Sequence, residues 1–511
     1  MWHTADAGTP RNVLARASIA AAGSAYQQGV ALVSGLVVAR VIGAADYGVF
    51  NLARSLVDLT TIVTRLGLDV GLQRYFGEAQ TREDQALRIA VLRRLRLLTS
   101  GVAVVPILAV ALGLGRALEA NVYTHAGFAD TLLWLALALP FLTDIAVLGG
   151  AYRGTLKLQP SVLAESVLLP TIRLVAIVIL FLAGWRLWAV AAGTTLGTLL
   201  AASFLAARAR VDFRAAPVAA GTWSEALRVA RYSGVLSAAV LVTTTTATLD
   251  VLFLGHFATA EALGQYSLVK MLLLLTGVVA GAFNQTLGSF VAAHHSRGDG
   301  DGALQAIRST VRWIALATVP PVVALSFWGA PLIPLLGESF RTSAAVVAWL
   351  AMGQLIAAVL GSAGWALSMT GRHVLELGIL VAGLCFAALA CALAVPAYGP
   401  LGAAIATCSS IALTNGLRVL CVRRHFGSLP FGADVVAIVA AGLAAAVACQ
   451  GALALVDLPP LATAALGMAC FAAVYAAAAW TLLLRPAEKS AVRHLLATVA
   501  RPFQLQARPR T

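Results

Sequence analysis

Long apolar segments recur along the whole chain, separated by short stretches rich in glycine, proline or charge. A helix needs about 20 consecutive apolar residues to cross a bilayer, and no segment has the two-residue alternation of a membrane strand. The pattern therefore predicts an all-α polytopic membrane protein with about 14 transmembrane helices. The predicted spans are roughly 13–41, 46–75, 97–115, 131–152, 160–183, 187–207, 232–255, 263–292, 313–336, 343–369, 375–395, 401–422, 433–456 and 461–484.

The second span, residues 46–75, differs from the others because it contains Arg54, Asp58, Arg65 and Asp69. On a helix these four side chains fall within a sector of about 80°. Charges at hydrocarbon depth face a bundle interior or a watery cavity, so this helix is predicted to line a polar path. The alternative is purely structural, because Arg54 and Asp58, like Arg65 and Asp69, are spaced i, i+4 and neutralise one another.

Composition and charge indicate a membrane protein rather than a soluble or nucleic-acid-binding one. Of 511 residues, 60% are apolar and 11% are charged, which is about half the charge of a soluble chain. The net charge of +14 is explained by basic cytoplasmic loops rather than by nucleic acid. Most of the 36 Lys and Arg residues fall on one side when both termini are placed in the cytoplasm. We therefore expect a multi-pass protein of the cytoplasmic (inner) membrane.

No motif indicates a cofactor or a metal. The six cysteines lie in or beside C-terminal apolar segments without metal-ligand spacing, and disulfides are not expected. The chain has no GKS or GKT phosphate loop, so ATP hydrolysis is not expected either.

An internal repeat relates two parts of the chain. When GAADYGVFNLARSL is placed over TAEALGQYSLVKML, Gly48 lies over Gly264 and Arg54 over Lys270. The offset covers an even number of spans, so the halves point the same way across the membrane, as in alternating-access transporters with parallel repeats. We predict two pseudo-symmetric six-helix lobes plus two C-terminal helices. The predicted parts are 1–207 and 232–424 for the lobes, 208–231 for a cytoplasmic linker, 425–484 for the extra helices and 485–511 for a basic tail.

The same segments carry a family resemblance. The signature of the first half is ARVIGAADYGVFNLARSL followed by TRLGLDVGLQRYFGE, and that of the second half is LDVLFLGHFATAEALGQYSLVKMLLLL. These segments resemble the Wzx-like oligosaccharide flippases, which are polysaccharide biosynthesis membrane proteins of the multidrug/oligosaccharidyl-lipid/polysaccharide exporter superfamily. The resemblance implies two lobes around a cavity that contains cationic side chains. It also implies a polyprenyl-diphosphate-linked sugar as cargo.

A diphosphate needs fixed cations in a hydrated cavity, and Arg54, Arg65 and Lys270 are the candidates. Lys270 has no acid within reach on its own helix, although Asp250 on span seven is an alternative partner. We expect Arg65 and Lys270 to face each other across the lobes. Arg173, with Glu165 and Asp144, is assigned to a buried network in the first lobe.

Neutral polar groups suit the sugar part of such a cargo. Gln28 on the first span and Asn284 on the eighth are the candidates for sugar contacts. Asp58, Asp69 and Asp250 are candidates for coupling transport to an ion gradient. Membrane lipids, and possible polysaccharide polymerase machinery, complete the expected partners.

Three other functions compete with an oligosaccharide flippase. The sequence does not clearly distinguish a lipid II flippase for peptidoglycan from a flippase for surface polysaccharide. A multidrug cation antiporter would favour acids in the first lobe's cavity, yet the first span contains no Asp or Glu. A membrane-embedded glycan-modifying enzyme needs a positioned acid, base or nucleophile, whereas all eight histidines fall in predicted loops, tails or span edges. The sequence therefore favours a transporter that is not an enzyme.

Overall fold

The computed structural model describes residues 10–78, 82–155, 157–213, 223–274, 299–486 and 488–490, together with positions 276, 277, 280, 281, 283, 287, 294 and 493. Every regular element in these residues is helical. The α-helices are α1 (Pro10–Thr64), α2 (Leu68–Gly77), α3 (Arg82–Ala109), α4 (Gly115–Asn121), α5 (Phe128–Ala136), α6 (Leu139–Gly154), α7 (Leu158–Val162), α8 (Leu169–Leu182), α9 (Arg186–Asp212), α10 (Trp223–Phe257), α11 (Ala260–Leu274), α12 (Gly300–Trp328), α13 (Ala344–Leu360), α14 (Ser362–Met369), α15 (His373–Phe426), α16 (Ala433–Leu453) and α17 (Pro460–Ala478). Turns of π-helix occupy Val110–Leu114, Leu163–Leu168 and Ala479–Leu483, and a 3₁₀-helix occupies Ala330–Leu336.

In the described residues, 11 helices are long and apolar enough to cross a membrane, which confirms the predicted polytopic helical class. Two of them, Ala22–Gly77 with 56 residues and His373–Phe426 with 54, are about 80 Å long and therefore long enough for two crossings each. Each contains a glycine with non-helical dihedral angles at the boundary between two predicted spans, Gly43 (φ 80°) and Gly399 (φ 55°). Counting these two helices twice brings the total close to fourteen, and the predicted eighth span lies partly outside the described residues.

The chain forms two compact units. The first comprises Met1–Val278, Ile333–Gly353 and His373–Thr414, and the second comprises Val279–Leu332, Gln354–Arg372 and Asn415–Thr511. The boundaries at 207 and 232 that the sequence predicts for the lobes stay a prediction.

Within the first unit, the segment of α1 after Gly43 packs along α11. Gly48 on α1 and Gly264 on α11, the two residues that the internal repeat superposes, face each other at this crossing. A Cβ atom on Gly48 would collide with the backbone of Ala260, and one on Gly264 would collide with the backbone of Ala44. Small residues at a helix crossing allow this close approach.

A second close contact in the first unit lies further along the same part of the chain. Gly67, just before α2, and Gly71 on α2 both lie against Ser233 on α10, and a side chain on either glycine would overlap that serine. A hydrophobic core nearby joins α2, α3, α6, α9 and α10 through residues such as Leu72, Leu95 and Tyr152. This core fixes α10 against the first lobe's helices.

In the second unit, α12 packs against α16 and α17, the two helices predicted as C-terminal additions. The ring of Trp328 on α12 lies 5.8 Å from that of Phe471 on α17, which in turn lies 5.9 Å from Tyr475. Arg312 on α12, whose side chain is only 5% exposed, pairs with Asp434 at 2.7 Å and with Glu488 at 2.8 Å. Aromatic packing and a buried arginine therefore hold the added helices to α12.

Candidate functional site

The second predicted span is broken inside the membrane-spanning segment. Helix α1 ends at Thr64, residues 65–67 form a turn, and α2 begins at Leu68. Leu66 has φ of 52° and Gly67 has φ of 67°, the left-handed region that non-glycine residues rarely adopt. The prediction of one uninterrupted helix from 46 to 75 is therefore wrong at these residues. Their left-handed dihedral angles end the helix at the point where Ser233 packs against Gly67.

Both charge pairs predicted in this span are present. Arg54 Nε lies 3.5 Å from the Asp58 carboxylate, with about half of each side chain exposed. Arg65 Nη1 lies 3.3 Å from the Asp69 carboxylate across the turn, and both side chains are about one-fifth exposed. The pairing alternative therefore describes all four residues correctly.

A cavity of about 410 Å³ lies where α1, α8, α9, α10 and α11 meet, and we call it the charged cavity. Its charged lining residues are Arg54, Asp58, Arg173 and Lys270. Polar residues, including Gln28, Ser34, Asn51, Thr194, Thr248 and Ser267, also line it. Three of the candidates for substrate binding (Gln28, Arg54 and Lys270) therefore share one cavity with Asp58, a candidate for ion coupling.

Lys270 on α11 is more tightly paired than its own helix suggests. Its Nζ lies 2.6 and 2.7 Å from the two carboxylate oxygens of Asp250 on α10, and it also donates to the carbonyl of Ala247 at 2.6 Å. The Asp250 carboxylate further accepts from the hydroxyl of Tyr266 at 2.6 Å and from that of Thr407 at 3.2 Å. The alternative partner named from the sequence, Asp250, is therefore the one that α10 brings to Lys270, which also lines the cavity.

Arg173 on α8 is the cation in the cavity that the sequence reasoning assigned elsewhere. Its expected partners are taken by other arginines: Arg96 binds Asp144 through two nitrogens at 2.6 and 2.8 Å, and Arg153 lies 3.3 Å from Glu165. Among the described residues, no acid lies within ion-pair distance of Arg173, and its buried Nε has no hydrogen-bond partner. The expected buried network of Arg173 with Glu165 and Asp144 is therefore wrong.

A signal for Arg173 was available in the sequence. Glu165 precedes it by eight residues, or about 12 Å along a helix, which is too far for a direct pair. The position of Arg173 is fixed by close packing of α8 on α9. The absence of a side chain at Gly197 lets the backbones of the two helices approach each other at Arg173. The contact of Arg96 with Asp144 depends on the packing of α3 against α6, which spacing along the chain does not reveal.

The remaining candidates lie elsewhere. Arg65 is not among the described residues that line the charged cavity, so it does not face Lys270 there, and its buried Nε lacks a partner. Asp69 is paired with Arg65, and Asp250 lies behind Lys270 with its side chain 2% exposed. Asn284 lies outside the described residues. In the described part of the chain, no group of three or more His, Cys, Asp or Glu side chains could hold a metal.

The charged cavity is suited to a group that carries negative charge. Three cations and one acid line it, and Asp250 offsets one more charge from behind. Because Arg173 has no acid of its own in the described structure, the surplus positive charge is concentrated beside α8. An anion in this cavity would receive charge-assisted hydrogen bonds, which are stronger than neutral ones.

Comparison with known proteins fits this description. A family model described as polysaccharide biosynthesis protein matches residues 13–287, more than half of the chain. No curated protein sequence matches this chain.

Solved structures of similar fold are transporters. The chain resembles a lipid II flippase MurJ in its inward closed conformation, with 13% identity, a TM-score of 0.70, and coverage of 91% of this chain and 99% of the other. It also resembles an inward-facing multidrug resistance MATE family transporter of the MOP superfamily (14% identity, TM-score 0.64, 78% and 94% coverage). A third similar structure is a MOP superfamily transporter from Pyrococcus furiosus (14% identity, TM-score 0.54, 82% and 96% coverage). These likenesses confirm the fold that the sequence resemblance implied.

Proposed function

Since the chain belongs to the polysaccharide biosynthesis family of membrane transporters, we propose that it flips a polyprenyl-diphosphate-linked oligosaccharide across the cytoplasmic membrane for surface polysaccharide biosynthesis. In this proposal both termini are cytoplasmic and the cargo enters from the cytoplasmic side. Membrane lipids surround the polyprenyl tail, and a polysaccharide polymerase uses the released product.

The observation that carries the proposal is Arg173 in the charged cavity. Its guanidinium has no acidic partner among the described residues and lies in a cavity that two further cations line. A guanidinium fork matches a phosphate with two parallel hydrogen bonds, and Lys270 adds a point charge. These groups replace the water that a diphosphate loses on leaving the membrane surface.

Transport then proceeds by alternating access. The diphosphate binds Arg173 first, and Arg54 and Lys270 turn from Asp58 and Asp250 toward the phosphate oxygens. Asp58 or Asp250 is thereby left without its counter-charge, which is how an ion gradient would enter the cycle. Asp69, paired with Arg65 outside the cavity, remains a further coupling candidate.

The fold itself favours one alternative cargo. The flippase with a TM-score of 0.70 is described as acting on lipid II, which also carries a diphosphate between a polyprenyl tail and sugars. The charged cavity suits both cargoes. A multidrug cation antiporter is favoured less, because cations outnumber acids in the cavity lining.

The test is transport by purified protein in proteoliposomes, using a fluorescent polyprenyl-diphosphate-linked oligosaccharide and lipid II as separate substrates. Replacing Arg173 by Gln removes the charge-assisted contacts, which are worth about 1.5–3 kcal/mol each, so we expect transport to fall 10-fold or more, and Arg173→Lys to retain part of it. Arg116→Gln, an exposed arginine on α4, is the matched control and should transport normally. Unchanged transport by Arg173→Gln at normal expression would contradict the cationic-cavity mechanism, and the preferred substrate decides between the two cargoes.

A further inference from the structure

A second cavity lies beside the charged cavity and within the first predicted lobe. It has a volume of about 320 Å³ and is lined by α1, α5, α6, α8 and α9, by Ala138 between α5 and α6, and by the π-helical turn before α8. We call it the side chamber. Five residues line both cavities and form the boundary between them: Ala31, Arg54, Asp58, Arg173 and Thr194.

The two cavities differ in charge. Two cations, Arg54 and Arg173, and two acids, Asp58 and Glu165, line the side chamber, so its lining is formally neutral. The charged cavity has the additional cation Lys270 and lacks Glu165. The counter-charges of these two groups, Asp250 and Arg153, lie outside the linings. An anionic group would therefore contact the Lys270 ammonium in the charged cavity but the Glu165 carboxylate in the side chamber, which favours an uncharged group.

The side chamber nevertheless offers hydrogen-bonding groups among apolar ones. Glu165 accepts from Arg153 at 3.3 Å and retains further acceptor capacity. The Thr198 hydroxyl donates to the carbonyl of Thr194 at 2.7 Å, which leaves its oxygen free to accept. Leu142 and Pro170 supply apolar wall. Acceptors beside apolar surface suit a ring with hydroxyl groups on its edge and C–H groups on its faces.

The backbone near Glu165 has a feature that often accompanies ligand sites. Residues Leu163–Leu168 form a π-helical turn, an insertion that is frequent at functional sites. In a regular α-helix the side chain of Glu165 would be displaced around the axis relative to Arg173. The turn therefore helps to bring both side chains to the same chamber.

We propose that the side chamber binds the first glycosyl residue of the cargo, the sugar directly attached to the diphosphate. This inference rests on the proposed function, which places the diphosphate at Arg173 in the charged cavity. The sugar is one bond from the diphosphate, and Arg173 belongs to both cavities, so the two groups occupy adjacent sites. Glu165, Thr198 and the chamber's apolar wall then determine which sugar is accepted, whereas Arg173 and Lys270 bind any polyprenyl diphosphate.

The test compares binding of three lipids to the full-length protein in nanodiscs: a bare polyprenyl diphosphate, and the same lipid with a single hexose or a single N-acetylhexosamine. We expect the wild-type protein to bind one glycosylated lipid at least fivefold more tightly than the bare one. Thr198→Val removes the hydroxyl while keeping the shape, and Ala138→Phe fills the chamber, so both should bring this affinity ratio close to one. Thr198→Val keeps the test valid if Ala138→Phe does not fold.

Thr243→Val is the matched control. Thr243 is exposed on α10 and donates to the carbonyl four residues earlier at 2.7 Å, as Thr198 does, but it lines neither cavity. It should keep the wild-type ratio. A wild-type ratio in Thr198→Val, or a wild-type protein that binds bare and glycosylated lipids equally, overturns the side-chamber proposal while leaving the flippase proposal standing. Failure of the wild-type protein to bind any of the three lipids overturns both.

Discussion

The Lys270 ammonium is held by three oxygens, two from Asp250 and one from the carbonyl of Ala247. The pair is largely removed from solvent, with the lysine side chain 19% exposed and the aspartate side chain 2% exposed. In such surroundings the loss of either partner leaves a buried charge, which costs more than the pair itself contributes. Lys270 therefore has two roles that experiments must separate, one in stability and one in the cavity.

A double-mutant cycle separates these roles. Lys270→Met and Asp250→Asn should each lower the free energy of unfolding in detergent by about 3–5 kcal/mol, because each leaves one buried charge without its partner. The double variant should recover most of that stability, since neither charge remains. Thermal unfolding and transport are measured on all four proteins.

If Lys270 also contacts the cargo, the stable double variant will still transport poorly. Recovery of both stability and transport would restrict Lys270 to a structural role. In that case the anion-binding proposal would rest on Arg173 and Arg54.

At the scale of elements, the crossing of α1 with α11 at Gly48 and Gly264 is the feature that side-chain size controls most directly. Backbone lies against backbone there, so any added side chain forces the helices apart. The adjoining residues Tyr47, Ser267 and Met271 line the charged cavity. Separation at the crossing should therefore open the cavity at this end.

Gly264→Leu should raise the accessibility of the cavity from the outer side of the membrane, where the predicted topology with cytoplasmic termini places Gly48. With the six native cysteines replaced and Ser267→Cys introduced as a reporter, a membrane-impermeant maleimide added on that side should label Gly264→Leu several times faster than the parent. Gly101→Leu is the matched control, because no atom lies within 4 Å of a Cβ at that helical glycine. Equal labelling rates in parent and Gly264→Leu would show that this crossing does not close the cavity.

Elements were predicted better than the contacts between them. Apolar length and glycine punctuation placed the boundaries at Gly43 and Gly399, and i, i+4 spacing identified the pairs at Arg54 and Arg65, because these properties are local. The break at Leu66 was missed, since its left-handed backbone is stabilised by packing of a distant helix. The network expected for Arg173 is wrong for the same reason, because the arginines that bind Asp144 and Glu165 come from other helices. For Lys270 the sequence named the partner, Asp250, but spacing along the chain could not show that the two side chains meet.

At the scale of the whole chain, a charge cluster in the second unit joins α12, the start of α16 and the residues after α17. Arg312 binds both Asp434 and Glu488, and Arg485 adds a second contact to Asp434 at 2.9 Å. The hydrogen bond from Arg312 holds the pKa of Glu488 below its ordinary value of 4.5. Glu488 therefore stabilises the folded state fully above that value, and its contribution is lost as pH falls through the lowered pKa.

Glu488→Gln should remove this pH dependence. At pH 7 we expect the variant to unfold about 2–4 °C below the wild-type protein, and the difference should shrink as the pH falls below about 4.5, the ordinary glutamate pKa. Melting curves in detergent between pH 3 and 8 provide the measurement, with Glu338→Gln, an exposed acid, as the control. A difference in unfolding temperature that stays constant across this pH range would mean that Glu488 acts through packing and not through its charge.

The two charged residues of α1 that line the cavity, Arg54 and Asp58, lie along the chain between two glycine contacts, Gly48 against α11 and Gly67 against α10. At both glycines the nearest atoms are backbone atoms, of Ala260 and of Ser233, which cannot rotate aside as a side chain could. Each contact therefore opens only when whole helices move, α1 against α11 at Gly48 and the turn before α2 against α10 at Gly67. A barrier of this kind resists the passage of single protons or small ions by thermal side-chain motion, so the membrane stays electrically tight between transport events.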